Sequence, residues 1–175
     1  MTAAEILLKR IHREGSIDGK IIKVDRFLNH MVDPKLINIL AADLADRFSD
    51  LKISKIITAE TSGIMLALAV AAKLSVPFIY AKKKRPITMP DYFAAASYSF
   101  TKQESTTLYV SKEVLTAKDR VLFVDDFFAQ GSTLKAIKEI VSQSGTELVG
   151  AAVIINKSER RDIESILTLQ DLISD

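Results

Sequence analysis

The stretch from residue 121 to residue 133 constrains the fold of this chain more than any other. It reads Val-Leu-Phe-Val-Asp-Asp-Phe-Phe-Ala-Gln-Gly-Ser-Thr. Four consecutive apolar residues are typical of a strand that is buried on both faces, as in a parallel sheet. Two carboxylates, Asp125 and Asp126, come next at the carboxyl end of this strand, and a loop of small and hydroxyl residues leads into a helical pattern at residues 134–141. The stretch therefore predicts a strand, a loop and a helix in that order.

The carboxylates and the loop suit one kind of ligand. In open α/β sheets, ligands bind beyond the carboxyl ends of the strands, and the N–H groups of a loop at a helix N-terminus bind phosphate. Gly131, Ser132 and Thr133 are therefore candidate phosphate ligands. Asp125 and Asp126 can accept hydrogen bonds from vicinal hydroxyls, and such neighbouring carboxylates are costly unless a ligand uses them. A ribose 5-phosphate offers both groups, and the alternative is an acid-capped strand followed by an ordinary turn.

The same stretch resembles the phosphoribosyl-pyrophosphate (PRPP) motif of type I phosphoribosyltransferases in its apolar run, paired acids, small residue and loop similar to Thr-Gly-Gly-Thr. Gln130 stands where the family often has threonine, and this departure leaves the backbone donors in place. Ala129 stands where hypoxanthine-guanine members carry an aspartate, which argues against that subfamily. The resemblance implies PRPP binding by five loop residues: Ala129, Gln130, Gly131, Ser132 and Thr133. It also implies Mg²⁺ bound with PRPP, with Asp125 and Asp126 as catalytic residues and candidate metal ligands.

Composition excludes several other classes of protein. With 175 residues, of which 48% are hydrophobic and 26% charged, the chain suits one globular domain, residues 1–175. The formal net charge of +2 is too small to favour nucleic acid as a partner. Cysteine is absent, so disulfides and thiolate metal sites are excluded. The lack of disulfides is compatible with a protein of a reducing compartment. We expect a cytoplasmic protein with no signal peptide and no membrane partner, because the longest apolar run, residues 64–72, is too short to span a bilayer.

Strands and helices alternate along the rest of the chain. The predicted strands cover residues 53–58, 76–80, 121–124 and 148–155, with a short strand or extended arm at residues 17–23. The predicted helices cover residues 3–14, 34–48, 64–74 and 134–144. This alternation predicts an α/β fold with a doubly wound, mainly parallel sheet. Residues 159–175 form a tail that is charged first and then amphipathic.

Two further loops fall at the carboxyl ends of predicted strands. The first loop consists of Glu60, Thr61, Ser62 and Gly63. It precedes a buried helix and suits a second anion, as the pyrophosphate loop does in the resemblance, although an ordinary helix cap explains its hydroxyl residues equally well. Lys82 and Lys83 follow the next strand, where a pyrophosphate role competes with that of a solvated charged face. Right-handed crossovers bring both loops to the acid pair.

The reaction that the resemblance implies is displacement of pyrophosphate from C1 of PRPP by a nitrogen base. The sugar passes through an oxocarbenium-like state, so positioning and electrostatics should dominate. Lys82 and Lys83 are then candidate catalytic residues, because their charge offsets the charge that develops on the leaving group.

A two-stranded flap is predicted at residues 95–101 and 108–110. Pro86 and Pro90 precede it and oppose both a helix and a central strand. A flexible lid between Pro86 and Tyr109 would close over the substrate and exclude water, and the alternative is an exposed hairpin.

A wider resemblance concerns the acceptor base. Four segments look like those of bacterial xanthine phosphoribosyltransferases: residues 23–30, Asp33-Pro34, residues 98–103 and Lys157-Ser158. The likeness covers about residues 20–158 and implies a homodimer, with a small hood over the base formed by the N-terminal arm and the C-terminal tail. It assigns Ile22, Asn29 and Lys157 to base contacts. Lys157 can donate to the oxo groups of xanthine and favour its anion, and Asn29 can both donate and accept.

Two other functions compete with this one. An adenine phosphoribosyltransferase would need an acceptor for the adenine amino group, which Lys157 cannot supply. A regulator that senses PRPP or purines would need a DNA-binding module, and about 30 residues before the core are too few for one. The chain after Ser158 is also shorter than the resemblance leads us to expect, by about a helix, which bears on base preference and oligomeric state.

Overall fold

A five-stranded parallel sheet forms the centre of the structure, a computed structural model that describes residues 1–99 and 104–173. The strands are β1 (Ser16–Asp18), β2 (Ile21–Lys23), β3 (Lys55–Ala59), β4 (Phe78–Ala81), β5 (Tyr92–Ser99), β6 (Glu104–Ser111), β7 (Arg120–Phe128), β8 (Glu147–Asn156) and β9 (Glu164–Thr168). The helices are α1 (Ala3–Glu14), α2 (Pro34–Arg47), α3 (Gly63–Leu74), α4 (Ser132–Ser144) and α5 (Leu169–Ile173), with a π-helical turn at Asp25–Asn29. None of the helices in the described ranges is both long enough and apolar enough to cross a membrane. The central sheet has the order β4-β3-β7-β8-β9, and each adjacent pair in it is parallel.

The centre of the sheet is buried on both faces because helices cover both. The four apolar residues of β7 that precede the acids are at most 1% exposed. Leu122 and Val124 pack in a core shared with α2 and α3, whereas Val121 and Phe123 pack in a second core shared with α4. Burial of one such side chain contributes about 1.5–3 kcal/mol. The doubly wound, parallel α/β fold predicted from the sequence is therefore confirmed.

Strand β7 is longer than predicted and includes both acids. Its predicted end at Val124 is wrong, since pairing with β8 continues to Phe128 opposite Asn156. Strand β8 supports this extension because its last six residues are all buried. Asp125 and Asp126 thus lie within the strand rather than after it, and the ladder on the β8 side fixes their backbone.

The N-terminal segment folds as predicted into a helix, an extended arm and a second helix. Helix α1 is capped by Thr2, whose hydroxyl accepts a hydrogen bond from the N–H of Glu5 at 3.1 Å. The arm is the antiparallel β1–β2 hairpin, which turns at Gly19 with a φ of 57°. Helix α2 begins at Pro34, and the carboxylate of Asp33 caps its first turn. The hairpin is therefore held between two well-capped helices.

The edge strand β9 lies outside the sequence-based prediction, which gave only an amphipathic tail. Its five residues are too few for a periodic pattern to be recognised. Residues 157–163 alone connect β8 to β9, although parallel strands usually need about a dozen residues or more between them. Ile163, which is 5% exposed, anchors the end of this link, and Arg47 of α2 donates to the carbonyl of Ser165 at 2.9 Å. The tail is thus part of the sheet and is tied to α2.

Strands β5 and β6 confirm the predicted hairpin, with wider bounds. They pair antiparallel from Tyr92 opposite Ser111 to Ser99 opposite Glu104. Residues 100–103, which belong to the predicted flap and to the segment resembling xanthine phosphoribosyltransferases, lie outside the described residues. We call β5 and β6 together the flap.

The base of the flap is packed against α4. Ala95, Leu108 and Val110 are at most 4% exposed and belong to the core that α4 shares. The side-chain amide of Gln143 on α4 donates to the carbonyl of Ala94 at 2.8 Å and accepts from its N–H at 3.3 Å. We therefore expect any lid motion to be confined to the outer part of the flap.

Amide hydrogen exchange without ligand is expected to divide the flap in two. The amides of Leu108 and Val110 should exchange as slowly as those of β7, because both residues are at most 2% exposed. The amides of Ala96 and Ser105, which are exposed, should exchange roughly tenfold faster or more. Uniformly slow exchange along both strands would show that the flap is a rigid platform and not a lid.

Candidate active site

The loop between β7 and α4 forms a small cavity at the N-terminus of a helix. Residues 129–133 and Asp125 contribute to its lining, and its volume is about 160 Å³. Gly131 has a left-handed φ of 77°, and a Cβ there would lie 2.7 Å from Cζ of Phe128. A side chain at this position would therefore distort the loop. Because the first N–H groups of a helix have no partner within it, this cavity suits an anion such as phosphate.

Asp125 lines this cavity, and the neighbouring Asp126 acts on it. Oδ1 of Asp125 accepts from the N–H of Asp126 at 2.9 Å, and Oδ1 of Asp126 accepts from the N–H of Phe127 at 2.9 Å. Burial, and then the negative charge of Asp126, raise the pKa of Asp125 well above its ordinary value. The ammonium of Lys83 acts in the opposite direction on the same pKa. The acid pair is thus an unfavourable arrangement until hydroxyl donors or positive charge compensate it.

The loop between β3 and α3 lies directly on Asp125. A Cβ at Gly63 would lie 2.5 Å from Oδ1 of Asp125 and 2.4 Å from Oγ1 of Thr58, so a larger residue does not fit. Thr58 is fully buried, and its hydroxyl has no hydrogen-bond partner within the described ranges. The peptide bond between Glu60 and Thr61 is cis. The loop predicted to bind a second anion therefore touches the acid pair.

The turn after β4 brings two lysines to the same end of the sheet and holds them differently. The backbone N–H and carbonyl of Lys82 both bond to Tyr109 of the flap, each at 2.9 Å, and its Nζ lies 5.4 Å from the centroid of the Tyr80 ring. The N–H of Lys83 donates to Oε2 of Glu60 at 2.8 Å, and its charge acts on the acid pair. Lys83 is therefore the lysine whose charge acts on Asp125, whereas Lys82 packs on an aromatic ring.

Lys157 approaches the acid pair from the other side of β7. Its N–H donates to the carbonyl of Phe128 at 2.7 Å, and its Nζ lies 4.4 Å from the centroid of the Phe127 ring. Burial lowers the pKa of Lys157, and the charge of Asp126 offsets part of that shift. Two positive charges thus act on the acid pair, that of Lys83 after β4 on Asp125 and that of Lys157 after β8 on Asp126.

Sequence reasoning does not identify Asn156, which holds the loop that carries Lys157. Its side chain is 2% exposed, and its Oδ1 accepts from the N–H and the Oγ of Ser158 at 2.9 and 2.8 Å. Its Nδ2 donates to the carbonyl of Arg160 at 2.8 Å. The available signal was an asparagine that ends an apolar run at the carboxyl end of a parallel strand. The loop borders a cleft of about 1050 Å³ that extends to Ala129, which is space enough for a purine beside the phosphate loop.

The two other candidate base contacts lie in the N-terminal segment. Ile22 of β2 is 7% exposed and packs in the core that α1 shares. Asn29 ends the π-helical turn, and its buried Oδ1 has no hydrogen-bond partner in the described part of the chain. Such an unpaired oxygen costs about 1–3 kcal/mol, so Oδ1 is suited to a donor on a ligand. Within residues 1–99 and 104–173, no hydrogen bond joins the Oδ1 of Asn29 to Lys157.

Asp125 and Asp126 are candidate carboxylate ligands for a metal at this end of the sheet. No group of three or more His, Cys, Asp or Glu side chains in the described residues could hold a metal ion. Mg²⁺ in phosphoryl-substrate sites usually takes one or two carboxylates, with phosphate oxygens and water as its other ligands. The donor set therefore fits a Mg²⁺ ion that arrives with a phosphorylated substrate.

The sequence model of the family described as phosphoribosyl transferase domain matches residues 23–169. This range contains every strand of the central sheet. The chain belongs to the phosphoribosyl transferase family. It is 48% identical over 156 residues to the xanthine phosphoribosyltransferase of Heliobacterium modesticaldum, with 89% of this chain and 83% of that one covered. It is 41% identical over 156 residues to the xanthine phosphoribosyltransferase of Listeria monocytogenes, with 88% and 81% covered. The resemblance seen in residues 121–133 is thereby confirmed.

Solved structures of other family members share the fold of this phosphoribosyl transferase. The adenine phosphoribosyltransferase of Thermoanaerobacter pseudethanolicus superposes with a TM-score of 0.74 at 22% identity, covering 93% of this chain and 99% of that chain. The enzyme of Giardia lamblia, complexed with 9-deazaadenine, superposes with a TM-score of 0.73 at 19% identity, covering 96% and 98%. At these identities the likeness concerns the fold alone.

Proposed function

We propose that this phosphoribosyl transferase transfers the 5-phosphoribosyl group of PRPP to a purine base, with xanthine preferred, and releases XMP and pyrophosphate. The observation that carries the proposal is the cavity of residues 129–133 at the N-terminus of α4, which Asp125 lines and which the loop of Gly63 approaches through the same aspartate. The xanthine phosphoribosyltransferases that are 48% and 41% identical over most of the chain support the choice of base.

In this proposal PRPP lies across three neighbouring loops. The backbone N–H groups of residues 129–133 bind its 5-phosphate, and Asp125 and Asp126 accept hydrogen bonds from its ribose hydroxyls. The loop of residues 60–63 and the basic turn after β4 bind its pyrophosphate. The close approach of Gly63 to Asp125 supports this arrangement, because ribose and pyrophosphate are adjacent in PRPP.

The proposed reaction is a displacement at C1 of the ribose. A ring nitrogen of the base forms a bond to C1 while the bond from C1 to pyrophosphate breaks, and pyrophosphate leaves with the bonding electrons. Positive charge develops on the sugar and negative charge on the leaving group, so the protein acts by positioning and electrostatics. Lys83 stabilises the leaving group and the acid pair holds the ribose. Mg²⁺ bound with PRPP, and held by Asp125 and Asp126, would supply further positive charge beside the pyrophosphate.

The proposed base site is formed by Lys157 together with Ile22 and Asn29. Lys157 has donors and no acceptor, so it matches the oxo groups of xanthine and favours its anion. The unpaired Oδ1 of Asn29 supports this site, because it can accept a hydrogen bond from a purine N–H. That bond would satisfy the buried oxygen. Ile22 supplies an apolar contact for the purine ring.

The wider resemblance also supports a homodimer. Helix α3 offers an apolar side chain for such an interface in Leu68, which is 55% exposed. Sedimentation velocity of the wild type, and of a variant with Leu68→Glu, tests this assembly: a monomeric wild type contradicts it.

One assay tests the proposed function directly. The protein is incubated with PRPP, Mg²⁺ and one base at a time from a panel of xanthine, guanine, hypoxanthine, adenine, uracil and orotate, and release of pyrophosphate is measured. We expect release with purines and the highest kcat/KM with xanthine. A preference for adenine would make the chain an adenine enzyme, and no release with any base would favour a non-catalytic sensor of PRPP or purines.

Lys83→Ala is expected to lower kcat by about 10- to 100-fold and to leave KM for the base within about twofold, because leaving-group charge develops in the transition state. Lys82→Ala should also lower turnover more than base affinity, with a smaller loss, since Lys82 packs on Tyr80. Lys84→Ala is the matched control, because Lys84 is exposed in the same turn. Wild-type turnover in both Lys82→Ala and Lys83→Ala would reduce the basic turn to a solvated face.

A further inference from the structure

A carboxylate in a loop that receives pyrophosphate requires an explanation, because like charges repel. Glu60 is such a carboxylate: it begins the loop of residues 60–63, which touches the acid pair. Its Oε2 accepts from the N–H of Lys83 at 2.8 Å, and its own N–H donates to the carbonyl of Ala81 at 3.0 Å. The side chain of Glu60 is thus engaged with the turn after β4.

We propose that Glu60 is a positioning residue: its carboxylate fixes the backbone of Lys83, so that the ammonium of Lys83 reaches the acid pair and the leaving pyrophosphate. The inference rests on the proposed function and adds to it a residue that acts without touching the substrate. Glu60 then makes no direct contact with PRPP, and residues 61–63 supply the pyrophosphate contacts proposed for this loop.

The place of Lys83 in the sheet shows why it needs this support. Strand β4 is the edge strand of the central sheet and pairs only with β3 among the strands of that sheet, so the turn after it is held mainly from one side. The backbone of Lys82 is fixed by Tyr109 of the flap, but the next residue has passed beyond that bridge. The hydrogen bond that the N–H of Lys83 donates to Glu60 holds the backbone one residue further along the turn. Since the side chain of Lys83 is exposed and long, a fixed backbone limits where its charge can lie.

A double-mutant cycle tests the inference. The proteins are wild type, Glu60→Ala, Lys83→Ala and the combination of both, with Glu60→Gln as the conservative variant and Glu139→Ala on exposed α4 surface as the control. Release of pyrophosphate is measured with PRPP varied at saturating base, then with base varied at saturating PRPP, and again over a range of Mg²⁺ concentrations. Thermal unfolding of each protein verifies that it is folded.

We expect Glu60→Ala to lower kcat by about 10- to 100-fold with little change in KM for the base, which is the usual cost of misplacing a catalytic group by about 1 Å. Glu60→Gln should recover most of this loss, because its amide oxygen still accepts from the N–H of Lys83. The combined variant should be no worse than Lys83→Ala alone, since Glu60 acts through Lys83.

Three results would overturn the role of Glu60: losses that multiply in the combined variant, no loss in Glu60→Ala, or a Glu60→Gln variant as poor as Glu60→Ala with an altered Mg²⁺ dependence. The last result would make Glu60 a ligand of substrate or metal. The proposed function fails separately, through a wild type that releases no pyrophosphate with any base. In that case the affinity of the same four proteins for pyrophosphate is measured by calorimetry. Non-additive losses of affinity support the inference, and additive losses overturn it.

Discussion

Changing Asp125 and Asp126 together to asparagine is expected to lower kcat/KM for PRPP by about 10²- to 10³-fold and to leave the fold intact. Asparagine keeps the size of aspartate and one acceptor oxygen, but it loses the charge that ribose hydroxyls and Mg²⁺ require in the proposed complex. The measurement is release of pyrophosphate with PRPP varied, together with circular dichroism of the same samples. Unchanged PRPP kinetics in the double variant would show that the pair does not bind the ribose.

Asp125→Asn alone should also make the protein more stable. Burial and the charge of Asp126 raise the pKa of Asp125, so between its ordinary value and the raised value the native state binds more protons than the unfolded state. The free energy of unfolding of the wild type therefore falls as pH rises through this window, and the variant lacks this fall. At neutral pH we expect a gain of about 0.5–2 kcal/mol, or roughly 2–4 °C in Tm for each kcal/mol.

Asp119, at the amino end of β7, provides a matched control. Burial acts to raise its pKa, but hydrogen bonds from Lys55 and Thr116 outweigh burial and hold the pKa below its ordinary value. Its contribution to stability is therefore present above the unfolded pKa and is lost as pH falls through the folded one. Asp119→Asn should lower Tm at neutral pH and leave the kinetics unchanged. A shift of Tm in the same direction for Asp125→Asn and Asp119→Asn would contradict the functional origin of the strain at Asp125.

Lys157→Ala is expected to remove the preference for xanthine. Loss of the partly buried donor Lys157 leaves an oxo group of the base unpaired, which costs about 1–3 kcal/mol, or about 5- to 150-fold in kcat/KM. The activity with adenine should change little, because its amino group gains nothing from a cation that cannot accept. The specificity of the enzyme should therefore flatten across the purines, with the absolute loss concentrated on xanthine.

The comparison uses xanthine, guanine, hypoxanthine and adenine with the wild type, Lys157→Ala and Lys157→Met. Methionine keeps a contact with the Phe127 ring and removes only the charge and the donors. Equal behaviour of the two variants would assign the preference to charge, and a wild-type-like Lys157→Met would assign it to packing. A wild type that prefers adenine, or an unchanged order of preference in Lys157→Ala, would refute the choice of base even where the PRPP chemistry stands.

The sheet could be predicted from the sequence because its central strands carry local signals. Residues 121–124 are apolar without interruption, and the small and hydroxyl residues 129–133 mark the loop before α4. Strand β9 could not be predicted, because its five residues form a strand through their pairing with the distant residues of β8. The same length of β8 explains why β7 continues to Phe128 beyond its predicted end.

The candidate site shows the same limit at the level of single side chains. The sequence identifies Lys82 and Lys83 together, and the structure separates them through Tyr109 and Glu60, which lie far from them in the chain. Asn156 is recognisable only through its bonds across the turn that follows it. A local pattern predicts which end of the sheet a residue reaches, but the direction of its side chain depends on contacts with distant segments.

The short link between β8 and β9 limits how this fold can change its preference for the acceptor base. Asn156 holds one end of residues 157–163 and the buried side chain of Ile163 holds the other. An insertion between them would displace the edge strand or release Lys157, so a laboratory selection for another base should keep the length of this link. Substitutions should instead accumulate in the arm, where β1 and β2 form a separate two-stranded sheet. Variants selected in this way would then keep the Lys157 side of the proposed base site unchanged and diverge on the side that the arm forms.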